Sequence, residues 1–413
     1  MCYNLVLMPK QKKVLPVLFA TLLLDMIGTG MVIPIIPILF TDPSSSSFLL
    51  AGYSVGSQYL IAGVVIALFG LMQFIASPIL GELSDVYGRK KLLTLGVAVL
   101  AISQMLFGWG IGVASLAVLL ISRAIAGLAG ANFSIAQAAI ADVSAPEDRA
   151  KNFGLIGAAF GLGFILGPLL GGWIAHATGS AAAPFWFAGI LGICNVVFIS
   201  LFLPETHHNR SEAAHFHIFK GISNIAAAFR DKQANALYFA SFLYMSGFAF
   251  LTTFSGILSV QRFGFTAADL GTYFGGIGVF IVITQLFILR VLTKKYSERA
   301  ILRVSLLVLA LAIGVYPFVP NVMWLYLLIP FIAIPQGLSI ANIGSLISRS
   351  VSPEKQGAAL GINGSLIALS QGVIPVLAGV GSGLVGLSVP FVVGGLCVAF
   401  AWSILFFFKR KSA

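Results

Sequence analysis

The chain of 413 residues is 59% hydrophobic and only 9% charged, and its mean hydropathy is +1.01. So little polar surface cannot cover a soluble globule of this size, which excludes the soluble classes of protein and indicates an integral membrane protein. The net charge of +11 comes from basic residues between the apolar runs, so it suits an anionic membrane surface and gives no reason to expect a nucleic-acid partner.

Twelve apolar runs of about 20 residues predict an all-α membrane protein with twelve transmembrane helices. The runs lie near residues 14–40, 58–80, 92–111, 114–141, 152–178, 184–203, 234–260, 270–292, 301–318, 322–348, 357–380 and 386–408. Apart from Arg123 and Arg262, all of the 24 Lys and Arg residues fall on one side of the predicted bundle. Because loops rich in Lys and Arg stay inside, we expect both termini in the cytoplasm.

The first span, "LLLDMIGTGMVIPIIPIL", contains an acid, Asp25. It lies twelve residues past Lys13, which at about 1.5 Å per residue is about 18 Å into the membrane. A charge there costs about 2.5–3.5 kcal/mol on insertion scales, so it needs a function. Three roles are open: a proton carrier, since burial favours the neutral carboxyl group; a structural partner of Arg123; or a contact with cavity water or a cationic substrate.

The loop between spans 2 and 3 concentrates charge in "GELSDVYGRKKLL", residues 81–93. Gly81 and Gly88 permit a tight turn between antiparallel helices, and Asp85 and Arg89 are close enough to pair. Lys90 lies at the membrane interface, so these residues are compatible with a simple, well-anchored hairpin.

The pattern G-x-L-[AS]-D-x-x-G-R-[RK] in this loop also resembles the loop signature of the major facilitator superfamily. The resemblance implies a fold of two six-helix bundles in parallel pseudo-repeat. It further implies that Asp85 latches the halves together on the cytoplasmic side when the cavity opens outward, at a helix that begins near Gln356.

A stripe of polar and small residues begins in span 4 at Arg123. It continues through Gly127, Gly130, Ser134 and Gln137, which lie within about 80° of one another on a helical wheel, so we expect this face to look into a cavity. The pair R-x-x-x-G resembles another signature of the superfamily, in which the arginine is associated with proton coupling. A hydrogen-bonded structural arginine is the alternative.

Span 5, "GLIGAAFGLGFILGPLLGG" (154–172), presents glycine over about half of its circumference. Close packing of small residues between membrane helices is one explanation. The pattern G-x-x-x-G-P-x-x-G-G also resembles the signature of the proton-driven drug and tetracycline exporters within the superfamily, and the sequence around Asp25 resembles their first span. This resemblance implies export. The matching residues are Gly163, Gly167, Pro168, Gly171 and Gly172.

The longest polar break, residues 204–233, divides the chain into a first bundle (1–203) and a second bundle (234–413). A shift of 207 residues superposes several prolines and glycines of the halves, which indicates a parallel duplication. The superposed pairs include Gly157 with Gly364, Pro168 with Pro375, and Gly172 with Gly379. The break holds four of the five histidines. A metal site there is conceivable, but we expect a solvated linker with an amphipathic helix near 216–230 on the membrane surface.

Tetracycline exporters carry further membrane-embedded acids in spans 3 and 9 and a histidine in span 8, none of which this chain has. Tetracycline itself is therefore not the expected substrate. Scattered polar side chains among many Phe residues suit a bulky lipophilic or weakly basic compound, although each one alone fits a helix–helix hydrogen bond equally. These candidates are Gln104, Ser134, Gln137, Tyr238, Tyr244, Gln285, Gln336, Asn342 and Asn363.

The spans contain no convergent His, Asp and Ser set, so we expect a transporter and not an enzyme. The leading hypothesis is proton-coupled export of a small molecule, and the alternative is a proton-coupled symporter or a facilitator for a small metabolite. Either would work in the inner cell membrane as a monomer. Its partners would be the substrate, protons and lipid, with the proton gradient in place of a cofactor or metal.

Overall fold

The computed structural model describes residues 8–130, 132–144, 149–207, 220–230, 234–352 and 356–407. Within these residues the chain is helical without strands, and twelve helices are long and apolar enough to cross a membrane. The predicted fold class and number of spans are therefore confirmed.

The spans are numbered in chain order, and several consist of more than one helix. Span 1 comprises Met8–Gly30 and Ile35–Thr41, span 2 Val55–Tyr87, span 3 Arg89–Gly112, span 4 Leu116–Ala129 and Asn132–Val143, span 5 Arg149–Thr178 and span 6 Ala183–Phe202. The linker helix is Lys220–Arg230. Span 7 is Asn235–Phe263. Span 8 comprises Ala267–Ile283, a π-helical turn Thr284–Ile288 and Leu289–Lys295, and span 9 comprises Glu298–Val315 and the 3₁₀ turn Tyr316–Phe318. Span 10 is Val322–Arg349, span 11 is Gln356–Leu384 and span 12 is Val389–Phe407.

Two spans of the first half are interrupted where hydropathy predicts continuous runs. In span 1 the helix ends at Gly30 and resumes after Pro34, because proline fits the first turn of a helix better than its interior. In span 4 the first helix ends at Ala129, and the carbonyl oxygen of the next residue, Gly130, accepts a hydrogen bond of 2.8 Å from Gln73 Nε2 of span 2. Apolar residues flank both breaks, so composition alone does not reveal them.

Span 2 corrects one prediction about the loop that follows it. The helix continues through Gly81 to Tyr87, and Gly81 O accepts a bond of 2.6 Å from Ser84 Oγ. The turn is made at Gly88 alone, whose φ of 97° lies in the region that favours glycine. The prediction that Gly81 takes part in the turn is wrong, because the polar residues that follow it continue the helix.

Spans 1–6 and spans 7–12 form two halves that meet along two helix pairs. Span 2 packs against span 11, and span 5 packs against span 8. Within the first half span 3 packs on spans 4 and 6, and span 1 packs on spans 5 and 6. Within the second half span 12 packs on spans 7 and 9. These four helices form the main part of the interface between the halves, and the second helix of span 1 adds a smaller contact with span 7.

We call the side of the bundle that carries the loop between spans 2 and 3 the basic face, and the other side the opposite face. At the opposite face a Cβ atom added at Gly383 of span 11 would lie 3.0 Å from Gly56 Cα of span 2. Midway along the pair, one added at Gly372 would lie 2.9 Å from Leu71 N. Nearer the basic face, at Gly364, it would meet nothing within 4 Å.

Spans 5 and 8 separate in the same direction. A Cβ atom added at Gly271 of span 8 would lie 2.6 Å from Pro168 O, and one added at Gly278 would lie 2.9 Å from Ile165 N. At Gly157, about two turns closer to the basic face than Ile165, it would meet nothing within 4 Å. The two halves are therefore in close contact at the opposite face and diverge toward the basic face.

The linker helix is amphipathic, as the sequence predicts, and its described part begins at Lys220. Its buried side packs on spans 7 and 11 of the second half, where Asn224 Nδ2 donates a hydrogen bond of 3.0 Å to Ser365 Oγ and Ala228 is buried. The helix is thus docked on protein along one side, while Phe229 is exposed. The predicted residues 216–219 lie outside the described part of the chain.

Candidate functional site

The Asp25 carboxyl group is buried inside the first half, between spans 1, 4 and 6. Asn132 Nδ2 of span 4 donates a hydrogen bond of 2.8 Å to Asp25 Oδ2, and Asn195 Nδ2 of span 6 donates one of 3.0 Å to Asp25 Oδ1. Only 5% of the residue's surface is exposed. Each carboxyl oxygen therefore has a neutral amide as partner, and among the described residues no cationic side chain pairs with this carboxyl group.

The two amides were not found by sequence reasoning, although a signal was present. Asn195 is the one carboxamide in the apolar run "GICNVVFI", and Asn132 stands in "GANFSIAQ". A strongly polar side chain within a membrane span needs a partner or a function. Applied to amides as well as to acids, that rule selects both residues, whereas only the contacts of the fold reveal that they meet at Asp25.

Arg123 is held by span 2 and does not contact Asp25. Its Nε atom donates a bond of 3.4 Å to Val65 O, its guanidinium carbon lies 4.9 Å from the centre of the Phe69 ring, and it is buried. The structure does not bring Asp25 and Arg123 together, and the arrangement fits a structural arginine whose charge is stabilised by an aromatic face. A role of Arg123 in proton coupling stays a prediction.

The expectation that the stripe of span 4 looks into a cavity is wrong for its first three residues. A Cβ atom added at Gly127 would lie 2.6 Å from Met72 Cβ, and one added at Gly130 would lie 3.2 Å from Gln73 Nε2, both in span 2. The stripe therefore packs on a neighbouring helix. Of the two stripe residues beyond the break at Gly130, Gln137 is exposed and Ser134 is half-buried.

The glycine motif of span 5 has two faces that contact different helices. The first faces span 1: an added Cβ atom at Gly163 would collide with Met26, the residue after Asp25. At Gly167 it would lie 2.8 Å from Gly30 Cα, and at Gly171 it would lie 2.7 Å from Met31 Cα. The backbones of spans 1 and 5 are therefore in direct contact along this face.

The second face of the motif contacts the other half of the protein. Gly172 lies against the start of span 8, where an added Cβ atom would be 3.0 Å from Gly271 Cα. Pro168 lies on the same face, opposite Gly271. Span 5 thus connects the helix that carries Asp25 to the second half, without larger side chains in between.

The predicted loop residues form a charge cluster within the first half. Arg89 is buried and forms ion pairs with Asp85, as the spacing predicts, and with Asp142 Oδ2 of span 4 at 3.0 Å. Its main-chain nitrogen donates a bond of 2.9 Å to Glu205 Oε1, which caps the positive end of span 3. Lys90 Nζ donates to Ser200 O at 2.8 Å.

The described partner of Asp85 is thus Arg89 of its own half, and the latch predicted for Asp85 stays a prediction. His207 Nδ1 lies 3.6 Å from Asp142 Oδ2. The other linker histidines, His208, His215 and His217, lie outside the described residues. Within the described part of the chain no three His, Cys, Asp or Glu side chains are arranged to hold a metal ion.

The second half repeats the ion pair between spans 3 and 4 with the charges exchanged. Arg349 Nη1 at the end of span 10 lies 3.2 Å from Glu298 Oε1 at the start of span 9. A shift of 207 residues places Arg349 on Asp142. The side chain of Arg349 is 72% exposed, whereas that of Arg89 is 7% exposed. The two pairs therefore differ in burial as well as in which helix carries the acid.

We expect Asp142→Asn to lower the stability of the protein more than Glu298→Gln. Removing Asp142 leaves the buried Arg89 with only the exposed Asp85 as counter-charge, at a cost of about 1–3 kcal/mol, whereas an exposed pair contributes about 0–1 kcal/mol. The measurement is thermal unfolding of both purified variants in the same detergent. Equal losses in both, or a larger loss in Glu298→Gln, would contradict this assignment of the two pairs.

Most of the other predicted cavity residues make hydrogen bonds between helices. Gln104 Nε2 donates to Gly28 O at 3.1 Å, and Gln285 Nε2 donates to Gly337 O at 3.2 Å. Other such contacts are Tyr244 Oη to Gln336 O at 3.4 Å and Ser241 Oγ to Asn363 Oδ1 at 2.7 Å. Asn342 donates within its own helix, and Tyr238 is buried. Contacts of these residues with a substrate stay a prediction.

The sequence model of the Major Facilitator Superfamily matches residues 18–375 and, in a second match, residues 237–413. The chain belongs to the Major Facilitator Superfamily. It is 29% identical over 369 residues to the class C tetracycline resistance protein of Escherichia coli, covering 88% of this chain and 87% of that protein. It is 27% identical over 364 residues to the quinolone resistance protein NorA of Staphylococcus aureus, covering 88% of each.

Solved structures of this superfamily have the same fold. The human organic anion transporter MFSD10 superposes with a TM-score of 0.74 at 24% identity, covering 96% of this chain and 99% of that chain. A bacterial homologue of the lysosomal transporter Spinster, in an inward-facing and unoccupied conformation, also gives a TM-score of 0.74 at 15% identity, covering 97% of each chain. This chain is therefore a multi-pass membrane transporter of the superfamily and not an enzyme.

Proposed function

We propose that this superfamily member is a proton-coupled antiporter that exports a small lipophilic or weakly basic compound by alternating access. The observation that carries the proposal is the position of Asp25. A lone carboxyl group is buried on span 1, and the residue after it packs on the glycine motif through which span 5 reaches the second half. A change in the charge of Asp25 therefore acts beside the contact between spans 1 and 5, and span 5 in turn contacts the half that must move.

The position of Asp25 also indicates how coupling would work. The carboxyl group lies within the first half, between spans 1, 4 and 6, and not between the halves. Proton and substrate would therefore occupy different places in the protein. Protonation changes the preferred packing of span 1, and span 5 transmits the change to span 8, so the two sites bias the same conformational equilibrium.

The proposed direction, export, rests on the similarity to drug-resistance proteins, and the topology that we propose is compatible with it. The positive-inside rule places the basic face in the cytoplasm. The halves diverge toward that face, so a substrate would enter from the cytoplasm, and the latch residue Asp85 would engage the second half after the switch. The protein would act as a monomer in the inner membrane, with the proton gradient as its energy source.

The proposed substrate class is supported by composition and by the relatives. The spans contain one acid near the midplane and many Phe residues, which suits lipophilic compounds with little charge. The similar proteins include tetracycline and quinolone resistance proteins, whose names indicate drug export. Aromatic rings also attract cationic compounds through their faces.

A drug-susceptibility panel tests the proposed function. The chain is expressed in a bacterial host that lacks its own efflux pumps, and growth inhibition is measured for lipophilic cations, quinolones and tetracyclines. We expect about fourfold or greater protection against at least one lipophilic cation, because export lowers the internal concentration. A host that becomes no more resistant to any compound of the panel, while the protein is present in its membrane, would contradict drug export.

A further inference from the structure

The neighbourhood of Asp25 holds more oxygen atoms than a proton requires. The amide oxygens of Asn132 and Asn195 and the Thr21 hydroxyl are all buried, and none of these three atoms has a hydrogen-bond partner. Asn195 Nδ2 also donates a bond of 3.1 Å to Thr21 O. Buried polar atoms without partners cost free energy, so the two amide oxygens beside one carboxyl group need an explanation.

The geometry permits a second arrangement of the same side chains. A carboxamide carries its oxygen and its NH₂ group at opposite ends of one planar unit, so a half-turn of that unit exchanges a donor for an acceptor. After this turn the oxygen of Asn195 would replace a nitrogen that lies 3.0 Å from Asp25 Oδ1 and 3.1 Å from Thr21 O. The Asn132 oxygen would likewise replace a nitrogen 2.8 Å from Asp25 Oδ2.

Oxygen atoms at such distances repel one another unless a cation lies among them. Carboxylate, amide and main-chain carbonyl oxygens are the ligands that hard cations prefer. The turned arrangement would supply all three kinds: the carboxylate of Asp25, the amides of Asn132 and Asn195, and the carbonyl of Thr21. Space for the Asn132 amide exists because span 3 has Gly96 against it, where an added Cβ atom would collide with the amide oxygen.

The local charge selects the valence of the cation. Asp25 supplies one negative charge, and the facing side chains of the described residues on the surrounding helices are neutral. The polar ones are Gln104 of span 3, Asn132 of span 4 and Asn195 of span 6. Between spans 1 and 5 the apolar Met26 lies against Gly163. Arg123 is turned toward span 2. One monovalent cation neutralises this site, whereas a divalent cation leaves an uncompensated charge in hydrocarbon.

We propose that Asp25, Asn132, Asn195 and the Thr21 carbonyl form a binding site for Na⁺, and that Na⁺ and the proton compete for it. With a proton or with no cation, the amide nitrogens face the carboxyl group; with Na⁺, the amide oxygens face it. This inference rests on the proposed role of Asp25 as an exchangeable group. It extends that role, because either ion could then drive the same change in span 1.

Binding of ²²Na⁺ to the purified full-length protein in detergent tests the site. The scintillation signal is measured at about pH 8 against increasing unlabelled NaCl, KCl or choline chloride, and the measurement is repeated at about pH 6. We expect saturable binding that NaCl displaces and choline does not, with a lower apparent affinity at the lower pH because protons compete. Displacement by KCl at the same concentration as NaCl would overturn the assignment to Na⁺.

Variants separate the proposed ligands from general damage to the fold. We expect Asp25→Asn to abolish binding and Asn132→Leu and Asn195→Leu each to weaken it at least tenfold. The control is Gln58→Leu, since Gln58 is a buried amide at the start of span 2 whose side chain donates to Tyr53 O, far along the chain from the proposed ligands; its Na⁺ affinity should equal that of the wild type. Gel filtration and thermal unfolding in choline chloride establish that each variant is folded.

Two results would overturn the inference. One is the lack of saturable ²²Na⁺ binding to folded wild-type protein; the other is unchanged affinity in folded Asn132→Leu or Asn195→Leu. Proton-coupled transport that depends on Asp25 would survive either result, so the proposed function and the sodium site fail separately. Conversely, sodium binding without any proton movement during transport would contradict only the proton-coupled function.

Discussion

Replacing Asp25 with Asn is expected to abolish proton-driven transport in a protein that still folds. Asparagine has nearly the same shape, and its neighbours Asn132 and Asn195 can rotate to accept or donate, so the loss of stability should be about 1 kcal/mol. The amide of asparagine neither binds nor releases a proton near neutral pH, so the coupling of transport to protons is lost. In everted vesicles, accumulation driven by a pH gradient should fall about 100-fold, to background, while exchange of labelled for unlabelled substrate remains measurable.

The matched control is Asp42→Asn, in the loop that follows span 1 at the opposite face. Asp42 makes only local bonds, to the main-chain nitrogen and the hydroxyl of Ser44, and these are exposed. This variant has the same chemical change as Asp25→Asn and should transport like the wild type. Full pH-driven accumulation in the Asp25→Asn variant would rule out Asp25 as the proton carrier.

Adding one methyl group to span 5 by Gly167→Ala is expected to impair both stability and transport. The new Cβ atom would lie 2.8 Å from Gly30 Cα and 2.8 Å from Ile27 O. Both are atoms of the span 1 backbone, which cannot move aside as a side chain can. Overpacking of this kind costs about 1–3 kcal/mol, and the shift of span 1 also displaces Asp25. We expect a lower unfolding temperature in detergent and at least a tenfold lower transport rate.

Gly28→Ala provides the control in the same part of the first half. Its Cβ atom would make only an ordinary contact of 3.7 Å, with Ala188 Cβ of span 6. The intrinsic gain in helix propensity, about 1 kcal/mol from Gly to Ala, is the same in both variants, so their difference isolates the contact between spans 1 and 5. If Gly167→Ala behaved like Gly28→Ala, the close contact would have no role in transport.

The sequence predicts the twelve spans because twenty apolar residues in a row have few other structures available. It does not predict the helix breaks at Gly30 and Gly130, since apolar residues continue on both sides. Span 2 illustrates the opposite error: polar residues after Gly81 indicate a turn, but they continue the helix for two further turns until Gly88. Hydropathy therefore locates the membrane segments better than it locates the helix ends.

The candidate site was predicted in part. Asp25 stands out because a charge in hydrocarbon is costly, but its partners depend on how spans 1, 4 and 6 pack, which one sequence does not specify. The face of Arg123 was assigned wrongly because a stripe of glycines fits a close helix neighbour as well as a cavity. The wide glycine surface of span 5 follows from its helical periodicity, whereas the identity of the helix against each face of the motif requires the fold.

The sign of proton movement in sealed proteoliposomes tests the central claim most directly. Purified protein is reconstituted with a pH-sensitive dye in the lumen, and a compound selected by the susceptibility panel is added outside. Exchange of substrate for protons predicts that the lumen becomes alkaline as the compound enters, whichever way the protein is inserted, and that Asp25→Asn vesicles give no signal. Acidification of the lumen would indicate symport, and entry of the compound without a pH change would indicate a facilitator; either result would contradict the account.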